Sequence, residues 1–395
     1  MQKTAMRRLL VGSSFVAVFL LGTLFGQGKL GFSFAPYGDQ TGLPKRLDYS
    51  QVDEVYQALR TNYYEKLTTQ QVLDGMKHGL AQSTGDPYTE FFTADEANQF
   101  NNDLQGTITG VGAQLQLDAD GNIVIIAPLA GSPAEAAGLR AKDVIIAIDG
   151  KTTSGMTATE AVLKIRGEKG TKVTLTVVRD GKEQLEFTIV RDTIHVPSVE
   201  SKILDGNIGY MQVSQFSDDT DELARKAAQE FQDKGIKKVV LDLRDNPGGE
   251  VASAVGLCSL WLDKGQVVVQ EKRGDALLQI DRATGDPLLK GMQTVVLINA
   301  GSASASEITA LALRDQIKAE LIGEKSFGKG VMQQLIPFGD GSSLKVTIGK
   351  WYSPKGANIN GKGIEPDQTV ALTAEDAKAK NDTQLDAATV WLSKQ

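Results

Sequence analysis

The sequence predicts a layered α/β core that carries a small inserted β-rich domain and has helical segments at both ends. Three observations support this. First, the runs Lys237-Lys238-Val239-Val240-Leu241-Asp242-Leu243 and Thr294-Val295-Val296-Leu297-Ile298-Asn299 are nearly all apolar and of strand length. Each leads through a turn into a helical stretch, the pattern of strands buried on both faces. Second, residues 106–192 alternate in short β-like runs punctuated by Asp120-Gly121, Asp149-Gly150 and Asp180-Gly181, dipeptides that suit tight hairpin turns. Third, Val52, Val55, Tyr56 and Leu59, then Val72, Met76 and Leu80, recur at helical spacing, and Leu385, Ala388, Val390 and Leu392 supply apolar positions near the C-terminus.

In chain order, the segments are a cytoplasmic tail (1–8), an apolar anchor or signal (9–26) and a Gly- and Pro-containing linker (27–47). Then come a helical region (48–102), the β-rich insert (103–192), the α/β core (193–373) and a last helix (374–395). Residues 9–25 hold no charge and follow Lys3, Arg7 and Arg8. At about 1.5 Å per residue such a run can just cross a hydrocarbon core of about 30 Å. The preceding positive charges should remain cytoplasmic, so the body of the chain is expected outside the cytoplasm. An uncleaved single-pass anchor is favoured over a cleaved signal, because Ser33-Phe34-Ala35 is followed by Pro36; cleavage would give a secreted form. Gly85-Asp86-Pro87-Tyr88 interrupts the helical region with turn chemistry. Within the insert, residues 158–165 read as one helix. Residues 342–348 and 351–354 read as strands closing the core.

Composition excludes several functions. A net charge of -7 argues against a nucleic-acid partner. The single cysteine, Cys258, rules out an intrachain disulfide and lies in an apolar run, as a small buried hydrophobe would. With only His78 and His195 present, neither a His-rich metal site nor a histidine-based triad has suitable material. No metal or other cofactor is expected.

The insert resembles a PDZ domain over its whole length. The features that carry the likeness are Thr109-Gly110-Val111-Gly112-Ala113, then Gly131-Ser132-Pro133-Ala134-Glu135-Ala136-Ala137-Gly138-Leu139, and Lys142-Asp143-Val144-Ile145 leading to Ile148-Asp149-Gly150. Consecutive amides at Gly110, Val111 and Gly112 can form a nest for a terminal carboxylate, and the next strand can pair with an incoming peptide. Read in isolation, these glycines would only make a tight turn. The resemblance implies tail binding at Gly110, Val111, Gly112 and Ala113. It also implies that Arg166 couples binding to activity, beside the plain alternative of a solvated charge at a helix end.

The chemistry is expected where the second apolar strand turns into a helix. A helix start offers unpaired amides and partial positive charge, which stabilise an oxyanion. Ser304 stands there, with the Ala305 amide as one donor and the Gly248-Gly249 turn as a source of a second. Spacing alone does not choose among Ser302, Ser304 and Ser306, and Ser304 to Glu307 also reads as a capping box without catalysis. A base without histidine can be a lysine whose pKa is lowered by burial. Lys329, in Ser326-Phe327-Gly328-Lys329-Gly330-Val331, has glycine and apolar neighbours that suit a desolvated amine, although an ordinary loop lysine would look the same.

These motifs, in order from Gly85-Asp86-Pro87-Tyr88-Thr89 through the PDZ features, the 241–249 segment, the 299–308 serine motif and Gly323-Glu324-Lys325-Ser326-Phe327-Gly328-Lys329-Gly330, resemble the C-terminal processing (tail-specific, S41) peptidases. The likeness covers nearly everything after the linker. It implies a crotonase- and ClpP-like layered core, Ser304 as nucleophile and Lys329 as general base. It also implies Gln333, one helical turn beyond, orienting the lysine, and an oxyanion hole from Ala305 with Gly248 or Gly249. The implied partners are protein substrates with accessible apolar C-termini and a second copy of the chain through its terminal helix; the membrane is expected as a partner from the charge-free N-terminal run. The competing readings are a non-catalytic PDZ peptide-binding protein that keeps the protease fold, an acyl-CoA enzyme on the related fold, and a histidine-dependent PDZ protease.

Overall fold

The computed structural model describes residues 43–394 except 45, 119, 130, 374, 375 and 377–380. The anchor expected at residues 9–26 lies outside them, and no helix among the described residues is long and apolar enough to cross a membrane. The chain divides into two units, residues 1–68 and 69–395. In the first, the helix Ser50–Asn62 carries Val52, Val55, Tyr56 and Leu59 at helical spacing, all exposed.

In the second unit the two apolar runs become the parallel strands Lys238–Asp242 and Gln293–Ile298, neighbours at the centre of a six-stranded sheet. The strands Val199–Leu204 and Ile208–Val213 lie on one side of this pair, and Glu320–Gly323 and Gln368–Thr369 on the other. All neighbours are parallel except the first pair. Successive residues of a strand point to opposite faces, and both faces here are apolar. Val239, Leu241, Val296 and Ile298 pack with residues of the helices Thr220–Asp233, Val251–Cys258 and Ala305–Ile317. Val240, Val295 and Leu297 pack with Ala388 and Leu392 of the last helix, Thr383–Ser393. That two-sided burial is why the strands read as continuous apolar runs rather than alternating ones. Cys258 is fully buried, and burial pushes its thiol up to about 12.

A second, antiparallel sheet joins Glu90–Phe92, Ser343–Tyr352, Val267–Arg273, Ala276–Arg282 and Val331–Pro337. The segments read as strands closing the core are one long strand of this sheet, Ser343–Tyr352, whose Trp351 packs into the same core as the parallel strands. The edge of the sheet includes three residues, Glu90–Phe92, from the region read as helices broken by a turn at residues 85–88; they are flanked by the helices Thr69–Gln82 and Ala94–Leu104.

The inserted domain forms a third sheet, in the order Ala113–Leu117, Ile123–Pro128, Val144–Ile148, Lys172–Arg179 and Glu183–Val190. The two-residue hairpin after Ile148 has both Asp149 and Gly150 at positive φ, 48° and 73°, the conformation an Asp-Gly turn supplies. The helix Ala158–Ile165 is capped at its N-terminus by Thr157, whose hydroxyl accepts from the Glu160 amide at 3.2 Å. Entry and exit of the insert pair as an antiparallel stem, Thr107–Gly110 against Asp192–His195.

Candidate active site

The strand Gln293–Ile298 gives way to a turn at Asn299, and the helix Ala305–Ile317 begins six residues after that asparagine. Ser304 occupies the junction at φ 52° and ψ -113°, a conformation uncommon for a residue with a Cβ. The three candidate serines separate by their partners. Ser302 Oγ donates to Leu243 O at 2.7 Å and Ser306 Oγ donates to Asn246 O at 2.9 Å, and both serines are fully buried. They fasten the helix start to the 243–246 segment. Ser304 stands at the capping-box position with Glu307, with its hydroxyl committed to no carbonyl among the described residues, and lines a cavity of about 560 Å³. Lys329, Gln333, Gly248, Gly249 and Trp351 line the same cavity.

The Gly248-Gly249 turn meets the serine directly. A Cβ on Gly248 (φ 101°) would stand 2.8 Å from Ser304 Cβ and 3.0 Å from Ala305 N, so only glycine permits this approach. The two glycines are not equivalent as donors. The Gly248 amide donates to Asn246 Oδ1 at 2.8 Å, whereas that of Gly249 takes no partner among the described residues while its neighbours bond Phe216. Ala305, at the first helical position, likewise has a free amide.

Lys329 sits in the loop between Glu320–Gly323 and Val331–Pro337. Its flanking glycines lie against another loop: a Cβ on Gly328 would come within 2.7 Å of Gly363 N, and one on Gly330 within 2.5 Å of Asn360 N. The Lys329 carbonyl accepts from the Trp351 indole at 2.8 Å, and its amine lies 5.2 Å from the centroid of the Tyr88 ring. This contact gives the Gly85-Asp86-Pro87-Tyr88-Thr89 motif a structural reason. Asp86 accepts from the Tyr88 amide at 3.2 Å and the Thr89 hydroxyl at 2.6 Å, fixing the turn that presents the ring. Burial holds Lys329 below the ordinary lysine value, and the nearby positive charge of Lys345 lowers it further, against the opposite pull of Glu307 and Asp86. Lys345 is itself held by Glu90 at 3.0 Å and lies over Phe92 and Phe100. No hydrogen bond joins Ser304 and Lys329 among the described residues.

Glu307 connects the two, a role the sequence reading missed. Its fully buried carboxylate accepts from the Ser304 and Lys329 amides, each at 2.9 Å, through Oε2. Oε1 accepts from the Ser326 hydroxyl at 2.5 Å and the Gly328 amide at 2.7 Å. Burial lifts this carboxyl above the ordinary glutamate value, and the four hydrogen bonds oppose the rise. The S-x-x-E spacing was visible in the sequence, but as a helix cap; the three partners 19–22 residues downstream have no local signature.

Gln333 is not a helical turn beyond the lysine. It lies in the strand Val331–Pro337, and its Nε2 donates to Thr347 Oγ1 at 3.3 Å. In the insert, Gly110, Val111, Gly112 and Ala113 line a cavity of about 400 Å³ with Ile126 and Val162. The Val111 carbonyl accepts from the Ala134 amide at 2.7 Å and that of Gly112 from the Leu129 amide at 2.9 Å, which fixes the loop. Arg166 caps the helix Ala158–Ile165 at the rim of this groove; its Nη1 is 3.8 Å from Asp103, and its Nε is buried without a hydrogen-bond partner among the described residues. The histidines stand apart from the cavity: His78 packs edge-on to Phe91, and His195 meets Asp219 at 2.7 Å.

A strand-to-helix serine, a desolvated lysine on the same cavity and an inserted peptide-binding module define the class as a serine-type hydrolase with a PDZ domain. Comparison with known proteins makes this specific. The pattern of peptidase family S41 matches residues 207–370, and that of the PDZ domain residues 103–178. The chain is 38% identical over 347 residues to the carboxy-terminal processing protease CtpA of Bacillus subtilis, covering 87% of this chain and 72% of that protein. It is 40% identical over 334 residues to the "Probable CtpA-like serine protease" of Staphylococcus haemolyticus, covering 84% and 67%. Among solved structures, the photosystem II D1 C-terminal processing protease superposes with a TM-score of 0.51 at 27% identity, covering 82% of this chain and 87% of that one. The chain belongs to peptidase family S41 and is a serine-type C-terminal processing peptidase.

Glu307→Gln replaces one of two acceptor oxygens with an N–H group facing N–H or O–H donors. Peptide cleavage should fall at least ~10²-fold through misplacement of the reacting groups. Denaturant titration should show about 1–3 kcal/mol lost to the unsatisfied buried groups. Wild-type turnover in this variant would show that the carboxylate does not set the site.

Proposed function

We propose that this peptidase is a membrane-anchored extracytoplasmic endopeptidase that engages protein C-terminal tails through its PDZ groove and cuts with a Ser304–Lys329 dyad. The observation that carries this reading is the common cavity, on which a serine at a helix start and a lysine of lowered pKa both open while their backbones hang from one carboxylate. In the reaction, neutral Lys329 takes the hydroxyl proton as Ser304 Oγ bonds to the scissile carbonyl carbon. The resulting oxyanion receives hydrogen bonds from the Ala305 and Gly249 amides, since the Gly248 amide is committed to Asn246. The Lys329 ammonium returns the proton to the leaving amine as the C–N bond breaks. Water, deprotonated by the same lysine, then releases the acyl group and restores the serine.

The apolar lining of the PDZ groove, with Ile108, Leu115, Ile126, Leu129 and Val162, supports a preference for apolar tails. The charge-free run at 9–25, preceded by Lys3, Arg7 and Arg8, supports a single-pass anchor with the catalytic region outside.

Ser304→Ala and Lys329→Ala should each reduce cleavage of an unstructured protein with an apolar C-terminus by ~10³-fold or more, read by mass spectrometry of the products. Cleavage that survives either change contradicts the dyad, and tail binding without any cleavage by the wild type would favour a non-catalytic peptide binder. The lysine's environment gives a second test. Because a base must be uncharged, activity should rise with pH through the Lys329 midpoint. Removing the adjacent positive charge with Lys345→Met should raise that midpoint, moving the acid limb of the rate profile to higher pH. A limb that stays in place or moves down would show that Lys345 does not tune the base.

A further inference from the structure

The strand Lys238–Asp242 runs toward the turn that faces Ser304, and between them stands Arg244. One side of its guanidinium binds Asp242: Nε donates to Oδ1 at 2.9 Å and Nη2 to Oδ2 at 2.6 Å. The other side reaches a residue 138 positions away, with Nη1 donating to Asp382 Oδ1 at 2.7 Å and Nη2 to Asp382 Oδ2 at 2.8 Å. Nη1 also donates to Gln384 Oε1 at 3.1 Å. Asp382 is the N-cap of the helix Thr383–Ser393 and accepts from the Leu385 amide at 3.0 Å. Burial pushes the Asp382 carboxyl up, but the Arg244 bonds and the helix-start amides outweigh it and hold it below the ordinary range. It is therefore charged at neutral pH.

The segment after Arg244 leads directly to the site. Asp245 turns at φ 57° and is held by Asn299, which accepts from its amide at 2.9 Å. Asn246, fully buried, donates to Val213 O at 2.7 Å and accepts from the Gly248 amide at 2.8 Å. Gly248 then abuts Ser304. A turn with one residue at positive φ and two glycines has little intrinsic preference for this shape, so its position depends on its anchors. Arg244 is the anchor on the strand side, and a guanidinium fork is fixed in direction only when both sides are engaged.

We propose that Asp382 is a positioning residue for the Gly248-Gly249 turn, acting through Arg244, so that docking of the C-terminal helix completes the oxyanion site. This rests on Ser304 being the nucleophile. It gives the last helix a task in its own chain beyond covering the sheet.

The test uses the full chain and a tail-bearing substrate. Asp382→Asn keeps a capping oxygen and removes the charge that orients the fork. It should lower kcat about tenfold, and the rate of Ser304 labelling by a fluorophosphonate in parallel, with KM within about twofold. Arg244→Lys should do the same, and the double variant should be no slower than the slower single one, because the two residues act as one unit. Lys238→Met is the control: Lys238 Nζ donates to Leu392 O at 2.7 Å, tying down the same helix far from Arg244. It should lower the melting temperature and leave kcat unchanged. Wild-type kcat in Asp382→Asn, additive losses in the double variant, or an equal kcat loss in Lys238→Met would each overturn the proposal. Ser304→Ala in the same assay separates the two levels. If it still cleaves, the nucleophile reading fails; if it is silent while Asp382→Asn cleaves at the wild-type rate, only the role of Asp382 fails.

Discussion

One buried carboxylate joins the halves of the site. Glu307 lies on the first turn of the helix Ala305–Ile317 and accepts from the backbone on both sides of the cavity, at Ser304 and at Gly328 and Lys329. Burying such a charge is unfavourable unless its lone pairs are filled, and here four donors fill them. The lysine loop thus cannot drift from the serine without leaving a buried carboxylate underbonded. The constraint also helps hold Ser304 at φ 52°, since the Glu307 side chain grips the amide of the strained residue.

Other elements supply what Glu307 cannot. The Tyr88 turn and Trp351 of the second sheet fix the lysine's surroundings, and Lys345, from the same strand as Trp351, adds the nearby positive charge. The core sheet contributes the serine and the glycine turn. The site therefore forms only when two sheets close on each other, and its reactivity depends on that closure twice: through desolvation of the amine and through the approach of Gly248 to Ser304. The insert connects to this assembly by the stem of Thr107–Gly110 and Asp192–His195, and the helix Ala94–Leu104 leads into that stem while presenting Phe100 and Leu104 to the cavity shared by Ser304 and Lys329. A rearrangement at the stem would have a short mechanical path to the site.

What the sequence made legible was largely what local pattern encodes. The central strands were readable because both faces are buried, and the insert's hairpins because Asp-Gly supplies the positive φ angles they need. The helix start at Ser304 and the glycine flanks of Lys329 were visible locally, but the choice of these two side chains over their alternatives came from the family resemblance. Partnerships between distant residues were not readable. Glu90–Phe92 is too short for any periodicity and becomes a strand only by pairing with residues 343–345. Four residues from Lys329 to Gln333 suggested a helical turn, but this segment pairs with Ser343–Tyr352, so the spacing has strand geometry instead. Ser302 and Ser306 looked like rivals of Ser304 until their hydroxyls proved to be spent on backbone carbonyls across the fold.

The proposed dyad depends on the charge state of one amine. Selective 13Cε labelling of lysines in the Ser304→Ala protein, with the Lys329 resonance assigned by substitution, allows its titration to be followed directly by NMR. A midpoint clearly below that of the other lysines is the predicted result. A midpoint at or above the ordinary value of 10.5 would mean that the cavity does not hold the amine ready to act as a base, and would contradict the central claim.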